Sequence, residues 1–347
     1  MIKKIKETAK IAAIQTAILF FSLCLLIIAV EMHYRYKYSF KLPKNDYETV
    51  TWGIPTKKNN LGYRGQDFEI RAFDRTDHSI ILVLGDSLTW GAGLDEKERY
   101  SDLLQTYLRS ENPGLKVTVL NFGIRYGATT KQRDILRSYY KQIEPDLVIV
   151  GFCINDPQEK FQNYSKEREE YFSKIKPLLS FLKHYKMKGT HQLVSQVYEN
   201  VLTVAKKIPR WQDALDRAYD QDSADWHRFE DALKEIAVMS KEVTPNPPVF
   251  ISLNQGASNL APTDYNKPDP VLNNYFLRWY HQAESAAKKH GFIAVNCEEE
   301  FKAQLKDHVM AVVPGEDGHP TAEMNKIYAQ KLVSVMKDND LLNVRHE

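Results

Sequence analysis

Cysteine is scarce in this chain, with Cys24, Cys153 and Cys297 the only three in 347 residues. No CxxC, HExxH or histidine-rich tract occurs, so neither a metal nor a cofactor is expected. An excess of one charge is missing too, since 47 Lys and Arg face 45 Asp and Glu. Residues 1–10 alone carry +3, which leaves about −1 for everything after them. A body so close to neutral lacks the basic face that a nucleic-acid binder needs. Internal repeats and low-complexity tracts are absent, and 43% hydrophobic with 27% charged residues excludes a disordered chain.

Long apolar runs are rare, and the single one present is informative. Residues 11–30 hold no charge, and only Gln15, Thr16 and Ser22 among them are polar. Twenty helical residues span the ~30 Å hydrocarbon layer. The run passes into Glu31-Met32-His33, which offers no small-residue cleavage pair. Leu23 before Cys24 also argues against a lipoprotein site. A retained transmembrane helix over 11–30 is expected, with a cytoplasmic tail 1–10 and the body outside. Arg35, Lys37, Lys41 and Lys44 follow the span, so the positive-inside asymmetry is weak. Tyr34, Tyr36 and Tyr38 suit the headgroup zone. Cys153 and Cys297 are expected as buried thiols, with a disulfide the alternative.

Beyond the span, residues 31–78 are polar, aromatic and irregular, and read as a stalk running onto a domain surface. The pattern then turns regular. Short apolar runs at 79–84, 116–120, 146–150, 249–253 and 292–296 read as strands buried on both faces. Helical spacing covers 97–111, 129–143, 273–289 and 321–337. Strands alternating with helices in this way imply βαβ units and a parallel sheet. Between them, about 157–245 is charge-rich and helical, with Trp226, Phe229, Leu233 and Ile236 on one stripe. One α/β domain over 79–340 with a helical insertion at about 157–245 is expected.

Ligands of open α/β sheets bind at the carboxyl ends of the strands. After the first strand comes Gly85-Asp86-Ser87-Leu88, and after the second Asn121, Gly123 and Gly127. After the third come Gly151 and Asn155-Asp156, and before the last helix Glu316-Asp317-Gly318-His319-Pro320. One sheet edge thus collects a serine, candidate oxyanion donors and an acid–histidine pair. Serine is a weak nucleophile until a base takes its proton, and His319 is the candidate base. A carboxylate fixes the imidazole tautomer. Oxyanion donors, worth ~3–4 kcal/mol each, are available in the N–H groups of Ser87 and Gly127 and the Asn155 amide.

These four blocks, in this order and spacing, resemble the SGNH/GDSL hydrolase family. The lead-in Asn60-Leu61-Gly62-Tyr63-Arg64-Gly65 is similar to a segment of membrane-anchored bacterial members. The resemblance implies a three-layer α/β/α, flavodoxin-like fold and ester hydrolysis or acyl transfer through serine. It implies Ser87 as nucleophile, His319 as base, and Ser87, Gly127 and Asn155 as the oxyanion hole. The orienting acid is expected to be Asp317, with Glu316 the alternative at the commoner family spacing. Either Gly123 or Gly127 can be the loop donor, and Gln132 five residues beyond favours Gly127.

A GDSL tetrapeptide alone arises by chance in roughly one chain of this length in a hundred; four ordered blocks do not. Thr89 occupies the place of the second glycine of a Gly-x-Ser-x-Gly elbow, which excludes that motif. Asp225-Trp226-His227 is a rival acid–histidine pair, better read as a helix start. Arg64 is open to two readings, an anion contact or a structural ion pair. Trp90 and Tyr126 can line a cleft or simply pack. The expected function is a membrane-anchored serine esterase acting on an acylated small molecule or glycan. The alternatives are an O-acyltransferase with the same triad and a non-catalytic envelope scaffold.

Overall fold

Valine-, isoleucine- and leucine-rich runs build the sheet seen in the computed structural model. The structure describes residues 2–38, 50–51, 54–69, 78–158, 166–209, 211–253, 270–304 and 319–341. They fall into two bodies, Met1–Leu42 with Asn163–Arg210, and Pro43–Gln162 with Trp211–Glu347.

In the larger body a short antiparallel pair, β1 (Val50–Thr51) and β2 (Ile54–Pro55), precedes the main sheet. That sheet comprises β3 (His78–Gly85), β4 (Lys116–Gly123), β5 (Leu147–Phe152), β6 (Val249–Ser252) and β7 (Ile293–Val295). Every pairing in it is parallel, in the order β4-β3-β5-β6-β7. The chain moves outward from β3 to β4 and then returns to the other side of β3. The connection therefore reverses between β3 and β5, and a ligand crevice belongs at that switch point.

Side chains alternate across the sheet. Ile80, Leu82 and Leu84 face a layer made by α4 (Thr129–Ile143), α8 (Ala224–Val243) and α9 (Pro270–Lys289). Ile81 and Val83 face the layer of α3 (Tyr100–Glu111), α10 (Glu298–Gln304) and α11 (Ala322–Asp338), which contributes Leu104, Leu108, Phe301, Tyr328 and Leu332. The result is the expected three-layer α/β/α arrangement. Cys153 and Cys297 are both buried thiols outside any disulfide, so the disulfide alternative falls away. The lead-in is docked rather than loose: Leu61, Tyr63 and Phe68 pack on the core, and the Tyr63 ring centroid lies 4.3 Å from that of Phe122.

The helical insertion is shorter than the expected 157–245. Helices α7 (Trp211–Ala218) and α8 belong to the larger body. Parallel β5 and β6 need a crossover, and α8 supplies it. Its Phe229, Leu233 and Ile236 enter the core, while Tyr140 OH donates to Glu242 at 2.8 Å. Amphipathic spacing had marked this helix without marking the surface it covers.

The smaller body joins α1 (Ile2–Tyr38) to α5 (Lys166–His184) and α6 (Lys188–Val204). Within α1 the stretch Ile14–Tyr36 is long and apolar enough to cross a membrane by length and composition. An anchor and a signal sequence both satisfy that test.

Candidate active site

Glycine occupies one level near the ends of three neighbouring strands, since Gly123, Gly85 and Gly151 are register partners across β4, β3 and β5. A Cβ on Gly85 would fall 2.0 Å from Thr89 Oγ1, and one on Gly151 2.3 Å from that atom and 2.4 Å from Tyr100 OH. One on Gly123 would fall 2.4 Å from Trp90 N. The glycine row is therefore a seat for α2 (Ser87–Trp90), a single helical turn laid across the strand ends. Thr89 Oγ1 and Tyr100 OH share a hydrogen bond of 2.9 Å inside this seat.

Capping holds the short turn in place. Asp86 Oδ1 accepts from Leu88 N at 2.8 Å, and Gly91 ends the turn at φ 80. Asn121 Nδ2 donates to Thr89 O and to Ser101 Oγ, both at 2.7 Å. Buried Arg64 donates to the carbonyls of Trp90, Gly91 and Leu94, and its guanidinium sits 4.9 Å from the Trp90 ring centroid. Burial, with the Arg99 charge nearby, lowers its pKa to about 10, so it stays charged at neutral pH. Arg64 is thus a clamp on helix-end carbonyls, and among the described residues it forms no ion pair.

Ser87 opens the turn and is half-buried. Its Oγ lies 2.9 Å from Nε2 of His319. The histidine comes two residues before Thr321, the N-cap of α11, whose Oγ1 accepts from Met324 N at 3.3 Å. Helix α11 is tied in turn to α3, since Tyr100 N donates to Asn325 Oδ1 at 2.9 Å. A serine hydroxyl bonded to an imidazole is the geometry from which a base removes the serine proton.

Two more loops reach the same edge. Gly123 N is spent on Asn121 Oδ1 at 2.8 Å. Further along, Tyr126 takes φ 61, a left-handed conformation that is costly for tyrosine. Gln132 Nε2 donates to Gly127 O at 2.8 Å and to Asp156 Oδ2 at 3.0 Å, which joins the loop after β4 to the loop after β5. Thr129 Oγ1 also donates to Asp156 Oδ2, at 3.3 Å. Asn155 is buried, and its Oδ1 accepts from Cys153 Sγ at 2.6 Å, which leaves the amide N–H pair of Asn155 to point elsewhere.

Two buried carboxyls underlie this edge. Burial pushes Asp86 up, opposed by the Leu88 N–H and the His319 charge. Burial pushes Asp156 well up, and the Asp86 charge adds to the rise. Among the described residues no group of three or more His, Cys, Asp or Glu is placed to hold a metal ion.

Over residues 83–327 the chain matches the GDSL-like lipase/acylhydrolase family. It belongs to that family. Membership of the GDSL-like acylhydrolases supports hydrolysis of acyl esters. Among solved structures the chain is similar to TesA, at 15% identity and a TM-score of 0.40 over 75% of this chain and 99% of that one. It is also similar to LAE5, an alpha/beta hydrolase enzyme from the metagenome of Lake Arreo, Spain, at 14% identity and 0.44 over 76% and 96%. A catalytic mutant of an acetylxylan esterase from Geobacillus stearothermophilus gives 14% identity and 0.42 over 78% and 100%. No curated protein sequence matches this acylhydrolase.

Of the residues expected at the site, the structure brings Ser87 and His319 together and sets Asn155 and Gly127 on flanking loops. Glu316 and Asp317 lie outside the described residues. Asp225 is a first-turn acid of α8 paired with Arg228, while Ser223 is the cap and accepts from Trp226 N at 3.0 Å. His227 is exposed, with Nδ1 2.7 Å from Ser223 O, so that rival pair is a helix start. Trp90 packs under Arg64, whereas Tyr126 is 50% exposed. Thr89, Tyr100, Asn325 and Cys153 carry positioning roles that the motifs did not reveal. Tertiary contacts show them, and no local sequence pattern marks those contacts.

Proposed function

We propose that this acylhydrolase is a membrane-anchored serine esterase working through an acyl-serine intermediate. The observation that carries the reading is the 2.9 Å contact between His319 Nε2 and Ser87 Oγ at the switch point of the sheet. Ser87 attacks the ester carbonyl while His319 takes its proton, then returns it to the departing alcohol. The negative oxygen is met by the N–H groups of Ser87 and Gly127 and by the Asn155 amide. Gly127 is assigned over Gly123 because the Gly123 N–H is already given to Asn121. Asp317 orients the imidazole, with Glu316 the alternative. Water then attacks the acyl-serine, and His319 serves as base a second time.

The same geometry serves transfer to a sugar hydroxyl when one occupies the place of that water. Helix α1 acts as the anchor over the apolar run, holding the catalytic body outside the cytoplasm. A tethered esterase with a nearly neutral body suits O-acyl groups on an envelope glycan or a lipid-linked sugar.

Turnover of p-nitrophenyl acetate by wild type and Ser87→Ala tests the mechanism. Loss of activity in the variant is expected, and equal rates would exclude Ser87 as nucleophile. Asp317→Asn is expected to cost far more activity than Glu316→Gln; the reverse order reassigns the acid.

A further inference from the structure

The hairpin of α5 and α6 carries an apolar surface that the smaller body leaves open. Its inner face is packed: the Phe172 and Tyr198 ring centroids lie 5.5 Å apart, Leu182 and Leu202 are buried, and Arg168 binds Glu199 through two contacts at 3.0 and 3.1 Å. Outward, α5 and the residue that follows it expose Leu178, Phe181 and Tyr185, three and four residues apart. On α6, Leu193, Val197 and Val201 recur every four residues and are likewise exposed. Stripes at this spacing are what a helix lays against an apolar partner.

The place where this hairpin meets α1 points to the partner. Gly189, in the first turn of α6, lies so close to α1 that a Cβ there would be 2.7 Å from Tyr34 Cβ and 3.0 Å from Val30 O. Met187, the N-cap residue of α6, makes no side-chain cap, and Glu31 of α1 supplies one: Thr190 N donates to Glu31 Oε1 at 2.7 Å. A carboxylate at a helix N-terminus both satisfies an orphan N–H and complements the helix dipole. The hairpin is thus fixed to residues 30–34, where the apolar run of α1 ends and a bilayer surface begins.

Charge at this junction agrees. Lys183 at the end of α5, Lys186 in the turn and Lys188 at the start of α6 are all exposed, near the paired rings of Phe181 and Tyr185, whose centroids lie 4.6 Å apart. Lysine with exposed aromatic side chains is the composition of a headgroup contact.

We infer that the α5–α6 hairpin is an interfacial element that seats its apolar stripes on the lipid surface beside α1. The inference rests on the reading of α1 as an anchor. Seated this way, the hairpin adds apolar area and lysine–headgroup attraction to the hold of a single span, as interfacial helices do.

Depth-dependent quenching in proteoliposomes tests it. The full chain, in a Cys24→Ser background, carries a bimane label at Val197→Cys, Phe20→Cys or Val238→Cys; Cys153 and Cys297 are fully buried. The bilayer contains anionic lipid and brominated acyl chains. Quenching at Val197 is expected to approach that at Phe20 and to exceed that at Val238 several-fold. Quenching at Phe20 with Val197 behaving like Val238 would overturn the interfacial hairpin while keeping the anchor. A label at Val197 shielded from both lipid and aqueous iodide would place protein on the stripe, again overturning it. No quenching at Phe20 would remove the anchor itself.

Discussion

Tyr100 N donates to Asn325 Oδ1 at 2.9 Å, joining the start of α3 to the helix that follows His319. The phenol of the same tyrosine meets Thr89 Oγ1 at 2.9 Å, and Thr89 lies in the turn that opens with Ser87. The nucleophile and its base are therefore referenced to one buried residue, through its backbone N–H and its phenol, although 232 residues separate them.

Asn325→Ala removes the acceptor and leaves a buried N–H unpaired. A stability loss of about 1–3 kcal/mol is expected, together with a fall in kcat as the histidine loses its support. Asn325→Asp keeps an acceptor and should retain more of both. Urea unfolding midpoints and p-nitrophenyl acetate kinetics on the same preparations check this.

Gln132 ties Gly127 O to Asp156, so it holds the proposed oxyanion loop. Gln132→Leu should lower kcat by up to about 100-fold, the order lost with one oxyanion donor. KM should change little, because the loop acts on the charge that develops in the transition state. A change confined to KM would reassign Gln132 to substrate binding.

Gly151 illustrates the seat beneath α2. Gly151→Ala drives a methyl group into Thr89 Oγ1 and Tyr100 OH, and overpacking of this kind costs about 1–3 kcal/mol. Adding Thr89→Ala and Tyr100→Phe removes both obstructing atoms together with the bond they shared. The triple variant should therefore recover much of the stability lost by Gly151→Ala, an interaction that a double-mutant cycle reads directly.

Asp156 gives a pH signature. Unfolded, its carboxyl titrates near the ordinary value of about 3.9; folded, burial and the Asp86 charge hold it well above. Between those two values the folded chain binds the extra proton, so this group lowers stability as pH rises through the window. Asp156→Asn cannot titrate, and its stability relative to wild type should climb from about pH 4 upward. Urea midpoints taken at several pH values would show a constant difference if Asp156 ionised normally.

Much of this was legible in the sequence because its signals are local. Val-Ile-Val and Ile-Ile-Leu-Val-Leu runs mark buried strands wherever they stand, and Ser87, Asn155 and His319 follow strands or precede a helix in short motifs. What could not be read is set by register and by facing. Residues 87–90 are too few for helical periodicity to show, so α2 emerged only once three glycines were seen at one level of the sheet. The stripe through Phe229 and Leu233 identified a helix, yet nothing local tells whether it covers a sheet or an insertion. Arg64 was equally opaque, since its partners are backbone carbonyls of residues 90–94, and carbonyls leave no trace in composition.

The central claim is that Ser87 carries the acyl group while His319 activates it. Reaction with a fluorophosphonate, followed by peptide mass mapping, tests this most directly. A single adduct on Ser87 that is lost in Ser87→Ala and sharply slowed in His319→Ala is the predicted result. An adduct on another residue, or labelling undiminished in Ser87→Ala, would contradict the account.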